Sequence, residues 1–209
     1  MPIGPTVRRL FGRHEHRVAG VYRSLFVDLD AYGRQIGAMI PQANRILEVG
    51  CGEGAVTERL ARHYPDADIL AIDVSPNVGR LFQGCADNVM FMQQTVEAVA
   101  AKSPAAFDLV VLSDVIHHVP VDQRRELMFA VRRTVMPGGV LVFKDWERSP
   151  TPIHWLCHAG DRWLTGDRVS YLRKAEAVAI LAEAFGRDRV ASVALVPPWR
   201  NNFILTARG

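Results

Sequence analysis

The sequence predicts an α/β fold: a mostly parallel sheet of seven strands, helices on both faces, and an antiparallel strand at the C-terminal end. Three observations predict it. Short apolar runs alternate with amphipathic stretches along the 209 residues, as expected when strands are joined through helices. The run Ile46-Leu47-Glu48-Val49 passes straight into Gly50-Cys51-Gly52-Glu53-Gly54 and then a helical stretch, the strand, glycine turn and helix of a βαβ unit. The last two runs, Val190 to Val196 and Phe203 to Ala207, are joined only by Pro197-Pro198-Trp199-Arg200-Asn201-Asn202, which suits a hairpin and not a crossover helix.

The length bounds the chain to a single domain with a full core. Apolar residues make up 49% and charged residues 22%, a globular composition without repeat or low-complexity block. No apolar run approaches the ~18 to 20 residues that cross a bilayer, so no transmembrane segment is expected. The basic start lacks an apolar stretch behind it, which argues against a secretory signal and for a cytoplasmic protein. Cys51, Cys85 and Cys157 are odd in number and scattered, arguing against a disulfide framework and a zinc site. The net charge of +3 is weak support for an anionic partner, and no nucleic acid is expected. Oligomeric state is not readable.

Residues 7–39 read as helical, with a basic face carrying Arg8, Arg9, Arg13, His14, His16, Arg17 and Arg23. This is either a solvated face or a lid whose Arg13, His14 or Tyr22 reaches a ligand. Strand 45–49 and its glycines lead into a helix from Ala55 to Tyr64, whose N-terminus favours anionic, oxygen-rich groups. The second strand, Ile69 to Asp73, ends on an acid at the spacing that takes ribose hydroxyls in such units. Gly50-x-Gly52-x-x-Ala55 also fits a dinucleotide fingerprint, so the glycines alone leave the cofactor class open. Ser75-Pro76 suits a helix start, Val89 to Met92 a third strand, and Thr95 a helix cap.

Phe107 to Leu112 reads as a central strand buried on both faces, which puts Ser113 to Val119 in the ligand crevice at its carboxyl end. Asp122 suits the cap of a helix to Val135, stopped by Pro137-Gly138-Gly139. Strand Val140 to Phe143 then delivers Lys144, Asp145 and Trp146 to the same edge. The segment 147–167, with Trp155, Trp163, His154, His158, Asp161 and Arg162, reads as an acceptor pocket or as a hairpin covering the sheet. Ser170 suits the cap of the last helix, which Gly186 ends. If strand 190–196 runs parallel to the central ones, the loop with Trp199 and Arg200 also lies on the crevice edge.

Glu48 before Gly50-x-Gly52-x-Gly54, Asp73 in Ala71-Ile72-Asp73-Val74-Ser75, the stretch Phe107 to Val119, and Met136-Pro137-Gly138-Gly139 together resemble four motifs of the class I S-adenosylmethionine (SAM) dependent methyltransferases. The nearest likeness is to the small-molecule branch of ubiquinone and menaquinone biosynthesis methyltransferases. The resemblance implies a Rossmann-like sheet, SAM as cofactor, and methylation of oxygen, nitrogen or carbon on a small aromatic or lipid-like acceptor. It implies cofactor contacts from Glu48, Gly50, Cys51, Gly52, Gly54, Asp73, Val74, Ser113 and Asp114. By register it adds Thr95 and Val96 at the adenine. The family's aspartate is absent there, leaving Thr95 or Gln94 to accept from the adenine amino group.

His117, or Asp145 nearby, is the candidate general base, while His118 is expected to pack against the helix behind the strand. His154, Trp155, His158, Trp199 and Arg200 are the candidate acceptor contacts, and no ligand spacing implies a metal. The expected layout is a helical cap at 1–44, a SAM-binding core at 45–146, an inserted acceptor-side segment at 147–168, and the last helix and hairpin at 169–209. A catalytically silent SAM-binding subunit and a nicotinamide oxidoreductase are the alternatives. A methyltransferase of nucleic acid or protein would share the fold, but no recognition domain is left over for it.

Overall fold

A computed structural model of the chain describes residues 24–84, 87–160 and 169–209. The expectations for 7–23, for Cys85, and for Asp161, Arg162 and Trp163 lie outside the described residues. Asp28 caps helix α1, Leu29–Met39, by accepting a hydrogen bond from the Ala31 N–H at 2.8 Å. Strand β1 (Arg45–Val49) is followed by α2 (Ala55–His63), β2 (Asp68–Asp73), β3 (Val89–Gln93) and α3 (Val96–Lys102). Then come β4 (Phe107–Ser113), a 3-10 turn at Ile116–His118, α4 (Arg124–Thr134) and β5 (Val135–Trp146). The chain continues through α5 (Pro152–Gly160) and α6 (Lys174–Phe185) to β6 (Val190–Leu195) and β7 (Asn202–Arg208).

The strands form one seven-stranded sheet in the order β3-β2-β1-β4-β5-β7-β6. Strands β1 to β5 pair in parallel, and β7 runs antiparallel to both β5 and β6. Both faces are covered, which explains the apolar runs of β1 and β4. Ile46, Leu109, Val111 and Val142 face Tyr32 and Ile36 of α1 and Leu60 of α2. Leu47, Val110, Leu112 and Leu141 face Val99 of α3, Val131 of α4 and Leu181 of α6. Strand order reverses between β1 and β4, and the crevice at such a reversal is where open α/β sheets bind ligands. No helix among the described residues is long and apolar enough to cross a membrane.

Several boundaries differ from expectation. Ser75-Pro76 opens a run of turns and no helix. The Asn77 N–H is taken by the Ser75 hydroxyl at 3.1 Å, a local bond that competes with helix formation. Helix α4 is capped at Gln123, not Asp122, without a side-chain bond. Helix α6 starts from Arg173, whose N–H is accepted by Glu176 at 2.8 Å. Ser170 instead gives its N–H to the carbonyl of His117 at 2.8 Å. Strand β5 begins directly at Val135, which pairs with Phe107, so Pro137 to Gly139 lie inside it. The pairing shifts register between Phe107 and Leu109, where a Cβ on Gly139 would come within 3.0 Å of the Phe107 carbonyl.

Candidate active site

The end of the crevice at β1 and β2 is built from backbone. The N–H groups of Gly50 and Cys51 both donate to the Ile72 carbonyl, at 2.8 and 2.9 Å, which pins the glycine turn to the end of β2. Gly50 has φ +74°, and a Cβ there would stand 2.2 Å from Val115, so side chains are excluded. Gly52 has φ +51° and nothing within 4 Å of a built Cβ; its outer side is open. Its N–H donates to Asp73 Oδ2 at 2.8 Å, while Oδ1 accepts from Ser75 at 2.7 Å. Asp73 therefore holds the turn as well as offering acceptor capacity, a structural duty its sequence position did not reveal.

Glu48 lies under this turn, 2% exposed, with Oε2 lacking any hydrogen-bond partner. Burial pushes its carboxyl up to about 7, and the charge of Asp73 adds to the rise. Burial also pushes the free Cys51 thiol up, so it stays protonated and serves as a small residue in the turn. Val74 is 71% exposed beside Asp73, an apolar surface at the same edge. Thr95 caps α3 by accepting from the Ala98 N–H at 3.3 Å, and Val96 is buried.

The other end is built from buried side chains. Ser113 is hydrogen-bonded to the Tyr32 hydroxyl at 2.6 Å, and burial raises the Tyr32 pKa. Asp114 takes a left-handed φ of +56°, gives its N–H to the Lys144 carbonyl at 2.9 Å, and receives Lys144 Nζ at 2.7 and 2.6 Å on its two oxygens. Lys144 is 2% exposed, so this ion pair neutralises a cation that would otherwise be costly to bury. His117 Nδ1 stands 2.6 Å from Asp145 Oδ1, which also accepts the Trp146 N–H at 2.7 Å. A carboxylate only accepts, so Nδ1 carries the proton and the basic lone pair of the neutral imidazole is on Nε2.

The two histidines have the reverse of their expected environments: His117 is buried and His118 exposed. They sit in a 3-10 turn, where alternation along a strand no longer decides which way a side chain faces. Tyr171, 4% exposed, stacks on His117 with centroids 4.8 Å apart and planes at 23°. Arg124 is also buried, donating to the carbonyls of Val119 at 2.9 Å and Ser170 at 2.6 Å.

Asp114, His117 and Asp145 bring potential ligand atoms within 4.8 Å of one another. Lys144 grips both Asp114 oxygens and His117 Nδ1 is bonded to Asp145 Oδ1, while Asp145 Oδ2 is buried without a hydrogen-bond partner.

Of the acceptor candidates, His154 and His158 come together around Tyr171, with ring centroids 5.1 and 6.2 Å from it. His154 is buried and accepts from Trp146 Nε1 on Nδ1 at 3.0 Å; burial first, then His158 and Arg148, push its pKa down and keep it neutral. Trp155 is 69% exposed. The Trp199 indole donates to the Leu25 carbonyl at 2.5 Å, Arg200 is exposed, and the Pro197 carbonyl accepts the Asp28 N–H at 2.7 Å. That loop thus joins the segment before α1, where Pro197, Pro198, Asp28, Glu58, Arg59 and Leu81 line a cavity of about 340 Å³.

Tyr171 and Arg124 were missed from sequence, and Lys144 was seen only as a residue at the edge. A faint signal existed for Arg124: a cation in the first turn of a helix opposes the helix dipole and needs another reason to be there.

A doubly wound sheet with a glycine turn after β1, an acid at the end of β2 and polar side chains at the ends of β4 and β5 is a frame that binds nucleoside cofactors at the switch point. Residues 46–139 match the family described as "Methyltransferase domain". The ubiquinone biosynthesis O-methyltransferase of Xanthomonas oryzae pv. oryzae (strain PXO99A) is 30% identical over 175 residues, 78% of this chain and 71% of that one. The fold is similar to that of the S-adenosylmethionine-dependent methyltransferase SibL (TM-score 0.68, 20% identity, 86% of this chain); the chain spans 54% of that protein. It is also similar to the 1,6-didemethyltoxoflavin-N1-methyltransferase of Burkholderia thailandensis, solved with S-adenosylhomocysteine bound (TM-score 0.66, 18% identity, 97% of this chain and 86% of that one). The chain belongs to the class I SAM-dependent methyltransferases, in their small-molecule branch.

The cofactor of that family fits the residues present. The open side of Gly52 leaves room above the turn, the unpartnered Glu48 Oε2 awaits a donor, and Val74 offers an apolar face.

Proposed function

We propose that the protein methylates a hydroxyl on a small aromatic or lipid-like acceptor in the cytoplasm, with His117 as general base and Asp145 orienting it. The observation that carries this reading is the buried 2.6 Å bond between His117 Nδ1 and Asp145, at the sheet edge that also bears the glycine turn. An orienting carboxylate matters chiefly for an acceptor whose proton must be removed, and an aromatic hydroxyl is such a group. The names of the Xanthomonas and Burkholderia relatives, an O-methyltransferase and an N-methyltransferase of small molecules, support the substrate class. The free thiol of Cys51 suits a reducing compartment.

When bound, SAM supplies an electrophilic methyl group on a positively charged sulfur. Gly50, Cys51, Gly52 and Gly54 would hold it through backbone, Glu48 through attraction to its ammonium, and Asp73 through its ribose hydroxyls. Val74, Thr95 and Val96 would flank the adenine, and Ser113 and Asp114 the reacting end. His117 takes the acceptor's hydroxyl proton at Nε2 and later releases it to water. Asp145 keeps the imidazole in that tautomer. Lys144, bonded to both oxygens of Asp114, holds that carboxylate in place. His154, Trp155, His158, Trp199 and Arg200 would shape the acceptor side, within one catalytic unit of cap (1–44), core (45–146), inserted segment (147–168) and closing hairpin (169–209).

Calorimetry with SAM and NADH, followed by mass spectrometry of methylated 3,4-dihydroxybenzoate as a probe acceptor, tests the proposal. SAM binding with methyl ether formation is expected. Displacement of SAM by NADH would overturn the cofactor assignment. Methylation of an amine panel with none on hydroxyl probes would overturn the acceptor class.

A further inference from the structure

The imidazole of His117 is restrained from more directions than a hydrogen bond to Asp145 requires. Tyr171 lies flat against one face, 4.8 Å away at 23°. The stretch bearing Tyr171 belongs to no helix or strand, so no ladder of backbone bonds fixes its place. Single contacts fix it instead: the Ser170 N–H donates to the His117 carbonyl at 2.8 Å, and the Arg148 N–H donates to the Leu172 carbonyl at 2.8 Å.

Arg124 closes the arrangement. Its Nη2 donates to the Ser170 carbonyl at 2.6 Å and its Nε to the Val119 carbonyl at 2.9 Å, so one guanidinium ties the strip of chain that bears His117 to the strip that bears Tyr171. Its position is expensive. Burial opposes its charge, and it opens α4, where the helix dipole also opposes a cation. The charges of Asp145 and Glu176 act the other way, and Asp145 is the same carboxylate that holds His117. A planar fork that donates in two fixed directions suits this task, and a lysine does not.

We infer that Tyr171 and Arg124 are positioning residues for His117, a clamp that fixes the plane of the imidazole so that Nε2 is presented to the acceptor in a single orientation. The inference rests on the reading of His117 as the base. General base catalysis needs the base within hydrogen-bond reach of the proton it removes, and a ring free to tilt spends only part of its time there. A clamp of this kind acts on kcat and leaves cofactor affinity alone.

The test compares Tyr171→Phe, which keeps the stacked ring, with Tyr171→Leu, which keeps bulk without a flat face, and adds Arg124→Lys. Two readouts are taken on the full chain. One is kcat and the KM for SAM with 3,4-dihydroxybenzoate. The other is the downfield proton resonance of the His117–Asp145 hydrogen bond, assigned with His117→Gln, which needs no turnover. Tyr171→Phe is expected within about twofold of the native kcat, and Tyr171→Leu and Arg124→Lys about tenfold lower with unchanged KM for SAM. The resonance is expected to persist in Tyr171→Phe and to broaden or vanish in Tyr171→Leu. A native resonance and native kcat in Tyr171→Leu would overturn the clamp. If His117→Gln itself keeps native kcat, the base reading falls, whereas the resonance still reports on the clamp.

Discussion

The two ends of the crevice solve the same problem, holding groups still at the edge of a sheet, by opposite means. At the β1 and β2 end, main-chain N–H groups of Gly50, Cys51 and Gly52 are fixed by the Ile72 carbonyl and Asp73, and side chains are kept away. At the β4 and β5 end, buried charges do the fixing: Lys144 with Asp114, His117 with Asp145, and Arg124 with two carbonyls. A backbone site tolerates little change in shape but much in side-chain chemistry around it. A site of buried charges tolerates neither loss of a partner nor a change in its position.

The sharpest way to break that contrast is Gly50→Ala. Its Cβ would stand 2.2 Å from Val115 with φ at +74°, and the overlap and backbone strain together should cost about 3 kcal/mol of stability. Thermal unfolding checks it; a native midpoint would mean the turn is not fixed by backbone shape.

At the other end, His117→Ala should leave SAM affinity within about twofold and lower kcat by roughly 10²-fold or more. Calorimetry and initial rates separate the two, and a native rate would strip the acceptor end of its base.

Glu48 tests whether the backbone end hides a charge of its own. Its carboxyl titrates near 7 when folded, against 4.5 ordinarily. Between those values the folded chain keeps a proton that the unfolded chain has lost, so cofactor-free stability should fall as pH rises through that window, by ~3 kcal/mol, and level off above it. SAM, whose ammonium favours the ionised acid, should bind more tightly as pH rises to 7. Glu48→Gln should flatten both profiles, and a slope that survives in Glu48→Gln would assign it to another group.

The smallest expected effect is on stability in Gly52→Ala. Nothing lies within 4 Å of its built Cβ, so the fold should lose only about 1 kcal/mol, for the positive φ. SAM affinity should nevertheless fall more than tenfold, because the methyl projects into the cofactor's side. Undiminished SAM binding in this variant would show that the open side of Gly52 is not where the cofactor lies.

The same contrast explains what could be read in advance. The glycine turn, Asp73 and the apolar β4 are local in the chain, so their spacing announces them and the sheet built around them. The β4 and β5 end is assembled from residues far apart: Tyr171 reaches His117, Arg124 reaches Ser170, and Lys144 reaches Asp114 across neighbouring strands. No periodicity encodes such meetings. Helix starts failed for a related reason. Ser170 has the chemistry of a cap, but its carbonyl, which an N-cap would give to its helix, accepts instead from Arg124, and Val135 follows its pairing with Phe107 rather than waiting for the prolyl-glycine turn.

Asp73 carries a consequence for how such chains change over time. Because it accepts the Gly52 N–H as well as the Ser75 N–H, removing it loosens the turn even in a descendant that no longer needs a cofactor. Selection for folding alone would then preserve Gly50 and the acid long after chemistry had lapsed. The hydrogen-bonded groups across the crevice enjoy less protection, since replacing both partners of a buried hydrogen bond together by apolar groups of the same shape can be nearly neutral. Within a lineage, erosion of His117, Asp145 and Arg124 on an intact glycine turn would therefore mark the members that have retired from catalysis.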